Sequence, residues 1–213
     1  MTAKPIIFSG AAGSGKGTVL SELFKMSDNY CYSVSYTTRT KRPGEVHGVN
    51  YFFITREEFE NRIQENDFAE YVEYCGNMYG TSRSYVKSLQ MKGKSVVLEI
   101  ETVGARNMMS AMPEAISIFI APPSYSVLEK RLRGRGTETE DKIIKRLNRA
   151  KDEVNIAGLY DYIIVNPDGQ QERVAEAIND ICNGKQPDGE IVKGTPEQKQ
   201  EFINQFFNAQ EEQ

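Results

Sequence analysis

The sequence predicts an α/β fold in which a parallel sheet is covered by helices on both faces. Short apolar runs of strand length recur at Ile6 to Phe8, Ser95 to Ile100, Ile116 to Ile120 and Tyr162 to Val165. Helix-like stretches separate them: Thr18 to Lys25, Ser84 to Lys92, Ser124 to Arg133, Asp141 to Ile156 and Gln171 to Cys182. The runs are continuous rather than alternating, as in strands buried on both faces. Right-handed crossovers then bring the strand C-terminal ends, and any ligand, to one edge.

The first strand runs into Gly10-Ala11-Ala12-Gly13-Ser14-Gly15-Lys16-Gly17-Thr18. Glycines here let backbone N–H groups curl around a phosphate chain. Lys16 adds a positive charge at the β- and γ-phosphates, and a helix N-terminus opens behind it. The spacing alone is weak; its place between a strand and the amphipathic Val19, Leu20, Leu23 and Phe24 strengthens it. Gly17 stands where a Ser or Thr usually follows the lysine, and Thr18 comes one place later. Magnesium is therefore expected through waters, or on Thr18 in a shifted role.

The stretch from Tyr36 to Tyr79 breaks the rhythm. Asn50 to Ile54 and Glu70 to Tyr74 read as strands around a Thr55 to Asn66 helix, an insertion suited to a second substrate. Arg133-Gly134-Arg135-Gly136-Thr137-Glu138-Thr139 mixes Gly with Arg, as a loop closing over phosphates does. Pro187 to Gly194 reads as a linker. Beyond it Thr195-Pro196-Glu197-Gln198 has the form of a capping box, and Phe202, Ile203, Phe206 and Phe207 share a helix face that docks, on its own core or on a second subunit.

The 213 residues suffice for one compact domain with insertions. A net charge of −4 and a pI near 5.3 exclude an overall basic field that would draw nucleic acid or an anionic membrane. Arginines nevertheless cluster at 39 and 42, at 131, 133 and 135, and at 146 and 149, which suits a small polyanion better than a long one. Cys31, Cys75 and Cys182 are odd in number and form no metal-ligand pair, as in a reducing compartment. With no leader-like apolar start and no span of about 18 apolar residues, a cytoplasmic location is expected.

Several motifs now line up. Ser33-Val34-Ser35-Tyr36-Thr37-Thr38-Arg39-Thr40-Lys41-Arg42-Pro43-Gly44-Glu45-Val46 resembles the GMP-binding signature of guanylate kinases, as do Tyr51, Glu70 and Tyr79-Gly80-Thr81. Val97 to Glu101 resembles the family's acidic strand end, with Glu where Asp is usual. Arg131 to Glu138 and Lys145-Arg146-Leu147 resemble its lid. The resemblance covers roughly residues 4 to 184. It implies a P-loop NTPase-type sheet, a GMP-binding insertion over 36–81, a lid over about 133–145, and a segment 185–213 outside the domain.

The resemblance also implies roles. Arg39, Arg42, Tyr51 and Tyr79 hold the GMP phosphate, whose oxygens two arginines and a phenol can saturate. Glu70 accepts from guanine N1–H and N2–H₂, an edge adenine lacks; Ser35, Gly80 and Thr81 line the rest of the base, and Glu45 orients Arg39 or Arg42. Glu99 and Glu101 alternate along one strand and so point to the same face, where they and Thr18 organise magnesium waters, or one of them contacts GMP. Lys16, Arg135, Arg146 and Arg42 stabilise the moving phosphoryl. Arg146 and Arg149 lie on a helix face opposite the apolar Ile143, Leu147 and Val154. Arg131 stacks on adenine and Asn166 contacts its edge. No general base is needed, because the acceptor phosphate is already anionic, and His47 is a loop residue.

The expected reaction is Mg²⁺-dependent phosphoryl transfer from ATP to GMP, giving ADP and GDP, with monomer and homodimer both open. Two other readings stand beside it. One is a non-catalytic peptide-binding module, against which the intact glycine loop and arginines weigh. The other is a kinase for AMP, CMP or dephospho-CoA, against which Glu70 and Ser35 weigh.

Overall fold

The computed structural model describes residues 3–134 and 139–208. In chain order the elements are β1 (Ile6–Gly10), α1 (Lys16–Met26), β2 (Tyr30–Tyr32), β3 (Tyr36–Thr37), β4 (Phe52–Phe53), α2 (Arg56–Gln64), β5 (Phe68–Tyr74), β6 (Asn77–Ser82), α3 (Arg83–Met91) and β7 (Ser95–Glu99). They continue with α4 (Thr102–Ala111), β8 (Ile116–Ala121), α5 (Tyr125–Gly134), α6 (Glu140–Asn155), a 3₁₀ turn (Ala157–Leu159), β9 (Tyr162–Val165), α7 (Gln171–Cys182), β10 (Val192–Lys193) and α8 (Pro196–Asn208). The architecture is α/β, with the expected apolar runs forming β1, β7, β8 and β9.

The chain divides into two compact units, one of the residues up to Ile7 with Asn29–Glu99 and Val103–Ala115, the other of Phe8–Asp28, Ile100–Thr102 and the residues from Ile116 on. The first unit holds the parallel pair β2–β7, in which Tyr30, Cys31 and Tyr32 face Ser95, Val96 and Val97. It also holds a four-stranded sheet in the order β4-β3-β6-β5. That sheet has a core of its own, where Tyr36, Phe59, Phe68 and Met78 are buried with Phe52, Ile54, Ile63 and Tyr85 against them. Phe59 stacks on Phe68 at 4.3 Å between ring centroids. Helix α2 is set by a complete capping box, Thr55 accepting from Glu58 N–H while the Glu58 carboxylate accepts from Thr55 N–H.

In the second unit the strand order is β10-β9-β8-β1. β8 and β9 are parallel, with Ile118 opposite Tyr162 and Ala121 opposite Val165. β10 lies antiparallel on the far edge of β9, Val192 opposite Ile164. The stretch read as a linker therefore contains a strand, with Ile191 and Val192 buried. α8 begins at the expected box, where Gln198 N–H donates to Thr195 Oγ1 at 3.3 Å and Thr195 N–H to Gln198 Oε1 at 3.1 Å. Its Phe202, Ile203 and Phe206 are buried within this same chain. Among the described residues no helix is long and apolar enough to cross a membrane.

Candidate active site

In the second unit β1 is buried along its whole length and delivers the chain into the glycine loop. A Cβ on Gly10 would lie 2.3 Å from the Ile120 carbonyl oxygen, so only glycine lets β8 approach so closely. Gly15 caps α1 at φ 87°, and a Cβ there would meet Asn166 Nδ2 at 2.6 Å. The loop is closed by Ser14 N–H donating to the Ala11 carbonyl at 3.1 Å. Lys16 Nζ folds back over it and donates to the carbonyls of Gly10 at 2.7 Å and Ala11 at 3.3 Å. The Thr18 hydroxyl donates to the Gly15 carbonyl at 2.7 Å, keeping its lone pairs for another partner. Gly13 and Gly17 complete the loop.

Asn166, expected at an adenine edge, is 2% exposed. Its amide donates to the Ser14 carbonyl at 2.8 Å, so it braces the loop from beneath. Arg131 is held by Asp168, with Nε at 2.9 Å and Nη2 at 2.7 Å from Oδ1, and by the Asn166 carbonyl at 2.7 Å. Arg135 lies outside the described residues. Arg146 is half-buried on α6.

Two sequence expectations change here. β7 ends at Glu99, and Glu101 falls in the turn before α4, so the two do not alternate along one strand. The chain leaves the ladder to start a helix at Thr102, which resets the direction of every later side chain. Glu101 instead accepts from Arg149 Nη2 at 2.9 Å. The buried positions of α6 are Ile143, Leu147, Ala150, Glu153 and Val154, so its arginines flank the apolar stripe rather than oppose it.

The residue that sequence reasoning missed is Glu153, at 6% exposure. It accepts from Ala12 N–H at 3.2 Å, from Arg149 Nε at 3.0 Å and from the Thr102 hydroxyl at 3.5 Å. Its two acidic neighbours, Glu101 and then Glu153, raise the Arg149 pKa above its ordinary value. A signal was available: an acid on the apolar side of an amphipathic helix, four residues after an arginine.

In the first unit β3 and β6 carry the second set. Thr37 pairs with Tyr79 and Tyr36 with Gly80 across these strands. Glu45 grips Arg39 with both oxygens, Nη2 to Oε1 at 2.6 Å and Nη1 to Oε2 at 3.1 Å. Its Oε2 also accepts from Arg42 N–H at 2.8 Å, so one carboxylate organises both arginine positions. Tyr51 and Tyr79 stand edge to face at 6.0 Å, with the Arg39 guanidinium 5.5 Å from the Tyr51 ring. The Arg42 side chain is exposed.

Glu70 and Thr81 are opposite one another on β5 and β6, and the Thr81 hydroxyl donates to Glu70 Oε1 at 3.4 Å. Burial pushes the Glu70 carboxyl above the usual range, against the lowering effect of that hydroxyl. Ser35 lies just before β3, its carbonyl accepting from Phe52 N–H at 2.9 Å. Gly80 leaves room for the rings of Phe68 and Phe59, which a Cβ would meet at 2.8 and 3.0 Å. His47 sits in the loop and accepts from Phe53 N–H through Nδ1 at 3.2 Å.

Among the described residues no group of three or more His, Cys, Asp or Glu side chains is placed to hold a metal ion. Thr18 and Glu101 carry hard oxygen donors in the second unit, and Glu99 carries one in the first.

The guanylate kinase family model matches residues 2–181. Guanylate kinases of Streptococcus agalactiae serotype III (strain NEM316) and serotype V are each 52% identical to this chain over 181 residues, covering 84% of it and 86% of their own length. The crystal structure of guanylate kinase from Anaplasma phagocytophilum is similar at a TM-score of 0.59 and 31% identity, over 94% of this chain and 95% of that one.

Proposed function

The chain belongs to the guanylate kinase family and is an ATP:GMP phosphotransferase, and we propose the following division of labour among its residues. The loop Gly10 to Thr18 wraps the ATP phosphates with its amides, and Lys16 moves from its own loop carbonyls onto the β- and γ-phosphates. Arg39, Arg42, Tyr51 and Tyr79 hold the GMP phosphate, with Glu45 keeping the Arg39 fork in place. Glu70 reads the guanine N1–H and N2–H₂ edge, with Thr81 fixing its carboxylate and Ser35 and Gly80 beside the base. Arg146 and Arg135 stabilise charge on the transferring phosphoryl, and Arg131, fixed by Asp168, supplies a flat face for adenine.

Magnesium, when bound, would supply charge neutralisation to the phosphates. Glu101, Glu99 and Thr18 would hold it through water, and Arg149 is paired to Glu101 without it. The GMP phosphate oxygen is the nucleophile, so the residues position and neutralise rather than move a proton. Cys31, Cys75 and Cys182 are free thiols, which supports a cytoplasmic setting.

The observation that carries the choice of acceptor is Glu70, a desolvated carboxylate paired to Thr81. Without a donor edge against it, that acid is left short of partners, so adenine and pyrimidines are rejected. ADP production from Mg-ATP is measured with GMP, AMP, CMP or UMP, for the native chain and Glu70→Ala. Turnover on GMP with loss of that preference in the variant is expected; an unchanged preference would remove Glu70 from the role.

A further inference from the structure

Glu153 brings a carboxylate into the interior of the second unit, at the point where the glycine loop, Thr102 and α6 meet. A buried carboxylate is costly unless its lone pairs are filled and its charge is matched. Here both conditions hold: Oε2 takes the Ala12 N–H, while Oε1 takes Arg149 Nε and the Thr102 hydroxyl. An apolar side chain of similar size would fill the space, yet it would leave the Ala12 amide without its acceptor.

We infer that Glu153 is a positioning residue for phosphoryl transfer, tying the curvature of the phosphate loop to the arginine face of α6. Arg146, Arg149 and Glu153 are spaced by three and four residues and so share one side of that helix. The bond to Ala12, two turns below Arg146, fixes how α6 is rotated and advanced with respect to the loop. It also fixes which loop amides turn outward, because the Ala12 N–H is committed inward. Arg149 extends the tie to Glu101, the residue before α4. The inference rests on the reading of Arg146 as a charge-stabilising group, and its test separates the two.

The full chain is compared with Glu153→Gln, Arg146→Met and the double variant, by steady-state kinetics and thermal melts. Ala12 N–H and Arg149 Nε donate to different oxygens of Glu153, so Glu153→Gln sets an NH₂ against one of them and breaks the tie between the loop and α6 at one end. It is expected to lower kcat by about 10²-fold, the scale of a displaced catalytic group, while KM for GMP stays within about twofold. Arg146→Met alone is expected to lower kcat by about 10³-fold. The double variant then loses no more than about threefold beyond Arg146→Met, because the tie has nothing left to position.

Costs that multiply in the double variant, or a folded Glu153→Gln with kcat within about threefold of native, overturn the tie. An unchanged kcat in Arg146→Met overturns the reading beneath it. If Glu153→Gln does not fold, the half-exposed Arg149→Met takes its place and leaves the carboxylate on Ala12. It is expected to lower kcat by about tenfold and to be non-additive with Arg146→Met, and full additivity overturns the tie there too.

Discussion

The carboxylate of Glu45 holds the guanidinium of Arg39 by both oxygens, at 2.6 and 3.1 Å. The Arg39 fork is thereby fixed before any acceptor phosphate arrives, and little of its side-chain entropy is left to lose on binding. Glu45→Gln keeps the shape and removes the charge. KM for GMP is expected to rise about tenfold, the scale of one charge-assisted hydrogen bond, and the melting temperature to fall by about 4 °C, because the two side chains are only 14% and 19% exposed. A KM within twofold of native would show that Arg39 needs no orienting partner.

The two acids proposed for the acceptor site are shifted in opposite directions. Glu45 is held below the usual carboxylate range, by the Arg39 side chain first and then by the Arg42 backbone N–H. The stability it contributes is present above the unfolded carboxyl value and is lost only as pH falls through its lowered folded value, so its grip on Arg39 is constant across the neutral range.

Glu70 is the reverse case, raised by burial. Its folded form binds the proton more tightly than the unfolded chain does, so its contribution to stability is present below the unfolded value and is lost as pH rises through the raised folded value. Acceptor binding has the opposite dependence, because the base edge needs the carboxylate. KM for GMP is therefore expected to climb as pH falls toward the raised Glu70 value, with KM for ATP flat over the same interval. Glu70→Gln is expected to melt higher than the native protein at pH 7 and to lose the pH dependence of KM for GMP. A lower melting temperature, or an unchanged pH profile, would refute the assignment.

The legibility of the fold followed burial. β1, β7, β8 and β9 are apolar runs buried on both faces, and α7 spans the residues its periodicity indicated, Gln171–Cys182. The elements that escaped lack such a signal. β3 and β10 are two residues long, and β6, reading Asn77-Met78-Tyr79-Gly80-Thr81-Ser82, is polar and depends on its neighbours for definition. Its hairpin with β5 turns on Cys75 and Gly76, both at positive φ, 49° and 75°, with no Asn-Gly or Asp-Gly to announce it.

At the candidate site, Lys16 stands out in the sequence by its place in the glycine loop, and Arg39 and Glu70 by the family resemblance. The loop contacts made from below were not legible there, although the sequence singles out Asn166 for another role and Glu153 leaves the signal of an acid on a buried helix face. Asn166 and Glu153 reach the phosphate loop from 152 and 141 residues away in sequence, and no local pattern encodes such a contact. Glu101 was misjudged for a related reason, since whether a strand continues for two more residues is decided by the helix that follows it.

The C-terminal segment gives a last prediction, because it separates stability from catalysis. Phe206 is 1% exposed among Phe202, Phe207 and Tyr125. Lys199 Nζ donates to the Tyr160 carbonyl at 2.7 Å, and β10 lies on β9, the strand that leads into Asn166. Arg173 reaches across to Asp188 at 2.7 Å and to Glu190. Phe206→Ala is expected to cost about 3 kcal/mol in urea unfolding, as emptying a buried aromatic site does, with kcat and both KM values within twofold of native. Removing residues 188–213 takes away β10 as well, along with the bond from Val165 N–H to the Ile191 carbonyl at 2.8 Å. That truncation is expected to lower the melting temperature further and, by loosening the strand that precedes Asn166, to raise KM for ATP more than KM for GMP. Equal changes in the two KM values would mean that the segment stabilises the unit without bearing on the loop that Asn166 braces.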